Sequence, residues 1–108
     1  MTVLHQPRVA WDTARVFVGS VHDDDLFNLL GAEVGELFGP AWQAQLGATR
    51  ERLRRATDQQ PGLVEAGLWR VRLEEELRGR PELAGPLRSL TTVAAGRLRQ
   101  RATGSTLS

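Results

Sequence analysis

The chain has 108 residues, 41% apolar and 25% charged, a balance that suits one folded domain and leaves little room for a second. Cysteine is absent, which excludes disulfides, thiolate catalysis and zinc–thiolate sites together, and no apolar run approaches the roughly 20 residues that cross a bilayer. The formal net charge is only +1, so the chain as a whole is neither a polyanion nor a polycation.

Taken in order, the first candidate element is 9–18. Val9, Thr13, Val16 and Phe17 share one side of a helix, although the Val-rich end would also suit an extended run. No second convincing strand offers a partner, so helix is preferred. Asp23 or Asp24 caps the next helix, Asp24 to Phe38, whose stripe is Leu26, Phe27, Leu30, Val34, Leu37 and Phe38. Gly39-Pro40 ends it and opens a third helix, Ala41 to about Thr57. Trp42, Leu46, Thr49, Leu53 and Ala56 step by four and three there, a narrow seam, with Arg50, Arg52, Arg54 and Arg55 expected on a solvated face.

After Gln60-Pro61 a fourth helix is expected from about Gly62 to Arg78, with Leu63, Val64, Leu68, Val71, Leu73 and Leu77 apolar and Trp69 beside them. Glu74 and Arg78 are spaced for an ion pair, and Gly79 is placed to close the helix in a left-handed cap. Pro81 suits a short turn over 81–84, and Pro86 argues against carrying the last helix back through that turn. The last helix then covers about Gly85 to Gln100, with Leu83, Leu87, Leu90, Ala94 and Leu98 as its stripe. The expectation is an all-α single domain, a bundle of four to five helices, with 1–7 and 102–108 as loose ends.

Charge is unevenly placed. Residues 1–49 hold two arginines against six acids, giving −4, and residues 50–108 hold twelve against seven, giving +5. The two halves are suited to pair with each other, within or between molecules. All 14 basic residues are arginine, which together with the alanine and glycine content reads as GC-rich coding more than as selection for forked donors. The opening Met1 to Pro7 has neither a basic start nor an apolar stretch, so no secretory signal is seen and a cytoplasmic setting is expected.

The inventory for chemistry is thin. His22-Asp23-Asp24-Asp25 has ligand types for a divalent cation, but consecutive residues do not converge on one ion, and capping explains the aspartates better. Glu74, Glu75 and Glu76 spread around a helix, and no serine sits in a nucleophile elbow or glycine-rich phosphate cradle. No enzyme and no cofactor is expected. Arg88, Arg97, Arg99 and Arg101, with no acid after residue 87, are candidates for binding an anion, whether nucleic acid or acidic lipid. All six aromatic residues precede residue 70, however, so no stacking platform accompanies them. Gly31 and Gly35, four apart, imply close approach of another helix from the same chain or a different one. With Trp42, Trp69, Leu87 and Leu90 they are the candidate interface residues of a module that self-associates or docks on a protein partner.

Trp69-Arg70-Val71-Arg72-Leu73, followed by Pro81-Glu82-Leu83-Ala84 and Leu87-Arg88-Ser89-Leu90, resembles a group of small helical proteins of GC-rich, mostly actinobacterial genomes. In that group a Trp-x-x-Arg-Leu helix leads into a Pro-Glu-Leu-Ala-x-x-Leu-Arg-x-Leu ending, and some members are accessory, effector-associated components beside signalling or defence genes. The similarity covers about residues 66–90, and Pro86 departs from it at a position that usually favours helix. The motif concerns packing and carries no active site; what it implies is an adaptor or assembly module.

Overall fold

The computed structural model describes residues 5–57 and 60–107, with side chains as far as 101. Five α-helices form there: α1 Gln6–Gly19, α2 Asp24–Phe38, α3 Pro40–Arg55, α4 Gln60–Gly79 and α5 Ala84–Leu107, with a 3₁₀ turn at Pro81–Leu83 before α5. No strand occurs among the described residues. Local chemistry accounts for the boundaries. His5 Nδ1 accepts the Arg8 N–H at 3.3 Å and Pro7 sits in the first turn, so α1 begins within the stretch expected to be loose. Residues 1–4 and 108 lie outside the described residues, and the backbone of 102–107 continues α5 past the expected end at Gln100.

Asp23 caps α2 by accepting the Leu26 N–H at 3.2 Å, while Asp24 and Asp25 occupy its first turn. Gly39 closes α2 and opens α3 at φ 103°, the one positive φ among the described residues. The left-handed cap expected at Gly79 is absent. Gly79 is the last helical residue, the Arg80 N–H bonds the Glu76 carbonyl at 2.9 Å, and Arg80 leaves at φ −137° ahead of Pro81, which disfavours helix in the residue before it. Pro86 is the third residue of α5, where the missing N–H has no intrahelical acceptor to lose.

Packing is organised about α1, which lies mainly against α4 and α5, while α2 pairs with α3. Val9, Ala10, Thr13, Ala14, Val16 and Phe17 are all buried, and the small Ala10 and Ala14 suit close approach of a neighbouring helix. The stripes expected on α2 and α5 are in the core, with Leu37, Phe38, Leu90 and Leu98 partly covered at its margin. Thr13 and Thr91, on α1 and α5, meet at 2.8 Å; Thr13 also lies 2.7 Å from the Val9 carbonyl and Thr91 2.9 Å from the Leu87 carbonyl. Two hydroxyl protons serve three contacts, so one threonine donates to the other while the second donates to its own helix.

Candidate functional site

The site begins with how α4 is turned. Its sequence is apolar on two sides, and the side that goes inward carries Ala66, Trp69, Leu73 and Leu77. Trp69 decides the rotation. Its ring packs edge-on to Phe17 at 5.2 Å and 87° and lies tilted on Trp42 at 5.7 Å, and Trp42 in turn stacks on Phe38 at 4.4 Å. Its Nε1–H donates to Thr49 Oγ1 at 3.0 Å. Thr49 is wholly buried and fully used: its hydroxyl donates to the Gln45 carbonyl at 3.1 Å and accepts from Trp69 and from Arg52 Nη2 at 3.2 Å. Arg52 also grips the buried Glu65 with both nitrogens of its fork, at 2.6 and 3.1 Å, and this bond raises the guanidinium pKa above its ordinary value. A polar knot thus clamps α3 to α4.

With Trp69 inward, the opposite side of α4 faces water. Leu63 is 72% exposed, Val64 59%, and Leu68 and Val71 50% each. Four of the six apolar residues expected in the α4 stripe are therefore outside, and only Leu73 and Leu77 are core. Among the described residues the other exposed large apolar side chains, Trp11, Leu29 and Val93, lie one each on α1, α2 and α5, so α4 alone carries a group of them. The signal was in the sequence: two overlapping helical stripes, 66/69/73/77 and 64/68/71, of which one helix can bury only one.

The sequence candidates fall elsewhere. Trp69, Leu87 and Gly31 are buried, and Trp42, Gly35 and Leu90 are half-buried, all within the intramolecular packing. The helix that approaches Gly31 and Gly35 is α3 of the same chain. A Cβ at Gly31 would meet the Gln43 side chain at 3.7 Å, and one at Gly35 would meet Gln43 Oε1 at 2.8 Å. The arginines of α3 are not one solvated face either: Arg50 stacks over Phe27 at 4.7 Å and bonds Asp24, which Arg54 also reaches at 2.8 Å. Glu74 pairs with Arg70 at 3.0 Å instead of Arg78, and Glu76 with Arg80 at 3.8 Å.

Of the candidate anion-binding arginines, two are exposed but pair with acids of the same chain. Arg101 lies 3.2 Å from Asp23, and Arg97 3.8 Å from both Asp23 and Asp25. The Leu26 N–H first, and then Arg101 and Arg97, hold the Asp23 carboxyl below its ordinary pKa of 3.8 against the opposing effect of burial. Arg88 is exposed, and Arg99 borders an open cleft of about 490 Å³ between α1 and α5, with Asp12, Arg15 and Leu98. A second open cleft, about 440 Å³, is lined by Val18, His22, Leu53, Leu63 and Ala66 and shares Arg15. Among the described residues no three His, Asp or Glu side chains gather as a metal site, and Asp23, Asp24 and Asp25 each have an arginine instead.

These features define a class: a small all-α bundle of five helices, one of which is apolar on both its inner and outer face. Among the described residues no helix is long and apolar enough to cross a membrane. No protein-family model matches the chain, nor does any curated protein or solved structure.

Proposed function

We propose that this chain is a non-enzymatic, cytoplasmic interaction module, an accessory or adaptor component that self-associates or docks on a larger protein through the outer face of α4. The observation that carries this is the row Leu63, Val64, Leu68 and Val71, all at least half exposed on one helix. Burying a Leu or Val side chain gains roughly 1.5–3 kcal/mol, so four left in water on a folded surface are a cost that a partner would recover. The resemblance over about residues 66–90 to accessory helical proteins supports the same reading.

The test compares the wild-type chain with a Val64→Glu, Leu68→Glu variant, which should keep the fold because both side chains face water. Light scattering at low and high salt, and recovery of tagged protein from its host, are read side by side. Wild type should show a mass above 11.9 kDa, or a co-purifying protein, that persists in high salt and is lost in the variant. Two forms that are equally monomeric and equally unaccompanied would overturn the proposal.

A further inference from the structure

We infer that the cleft where α1, α3 and α4 converge binds a small organic anion, a carboxylate carried on an apolar body. The space there is left by small residues, Ala56 at the end of α3 and Gly62 and Ala66 in the first turns of α4. A Cβ on Gly62 would lie 3.5 Å from Val18 Cγ1, so α1 and α4 approach closely at one edge of the cleft. Val18, Leu53 and Leu63 supply apolar walls, and the volume of about 440 Å³ falls within the roughly 300–1,000 Å³ of small-molecule sites. The inference does not rest on the docking face, since Val64, Leu68 and Val71 are not part of the cleft.

The charges that line the cleft have one sign. Arg15 and His22 line it and no acid does. Both side chains are exposed, and among the described residues neither has a hydrogen-bond or ion-pair partner. The acids close to them in the chain are engaged elsewhere. Asp12, one turn before Arg15, lies 3.5 Å from Arg8, and Asp23, Asp24 and Asp25, which follow His22, each have an arginine. Glu65, beside Ala66, is gripped by Arg52, and Asp58 lies outside the described residues. A guanidinium fork takes a carboxylate through two parallel hydrogen bonds, and one unpaired fork matches a monoanion. An apolar body laid on Val18, Leu53 and Leu63 would leave water as the head is held, so both parts of the ligand contribute.

Decanoate, kept below the concentration at which it forms micelles, is the probe, with decanol and acetate as its separated halves. Titrated into the isotope-labelled chain, decanoate should saturate and shift the amides of Arg15, His22, Leu53 and Gly62. Decanol and acetate should each bind at least about ten-fold more weakly. Arg15→Gln should weaken decanoate about ten-fold and leave decanol unchanged, a split that loss of the fold would not give. Gly62→Leu puts a side chain into the cleft at a helical position where leucine is favoured over glycine. It should abolish binding of both without lowering the melting temperature. No saturable decanoate binding at millimolar concentration, equal affinity for decanoate and decanol, or undiminished decanoate binding by Arg15→Gln would each overturn the inference. So would shifts confined to Val64, Leu68 and Val71, which would put decanoate on the outer face of α4 instead.

Discussion

Thr49 is the residue on which the interior turns. One buried hydroxyl donates once and accepts twice, and the two donors it satisfies come from Trp69 on α4 and Arg52 on its own helix. A hydroxyl lost here costs more than the hydrogen bond itself, because the indole N–H would then be sealed away from water without an acceptor. Thr49→Val, nearly the same shape, should therefore destabilise the fold by about 1–3 kcal/mol in a denaturant titration, and Thr49→Ser should recover most of that loss. Thr49 was legible as a seam position from its spacing with Trp42, Leu46 and Leu53. Its partners were not, because a hydrogen bond across 20 residues depends on how α4 is rotated.

At the scale of elements, the joint between α2 and α3 is a single glycine. Gly39 serves as the end of one helix and the start of the next at φ 103° and ψ 167°, a conformation open essentially to glycine alone. Gly39→Ala should cost about 1–3 kcal/mol by thermal melting, whereas Gly47→Ala, in α3 with nothing within 4 Å of the new Cβ, should gain up to about 1 kcal/mol. Local signals of this kind made the helices readable: Asp23 as cap, Gly39-Pro40 as break and Pro81 as turn stand where the sequence suggests. The face of α4 was not readable in the same way. Its apolar residues outnumber one stripe, and the buried stripe is the one that brings Trp69 to Phe17, Trp42 and Thr49, and Glu65 to Arg52, contacts that lie far apart in sequence. The candidate site was missed for that reason, since the tryptophans and glycines that looked available for a partner are used up at home.

Across the whole molecule, the acidic first half and basic second half meet within one chain. Asp23 at the start of α2 is reached by Arg97 and Arg101 from late in α5, and Asp24 by Arg50 and Arg54 from α3. Because the folded state depresses the Asp23 pKa, its contribution is complete above the ordinary value of 3.8 and disappears as pH falls through that value to the lower folded one. Melting temperatures from about pH 5 toward pH 2 should therefore fall more steeply for wild type than for Asp23→Asn, which keeps an acceptor for the Leu26 N–H but carries no charge. Parallel curves would mean that these ion pairs contribute nothing. The central position of α1 has a consequence for how the chain is made. Its chief neighbours are α4 and α5, and the Thr13–Thr91 contact spans 78 residues. During synthesis α1 thus waits for α4 and α5, and its apolar side stays unsealed until they have followed it out of the ribosome. Loop closure over that distance makes this bundle a slower folder than an up-and-down bundle whose neighbours in sequence are neighbours in space.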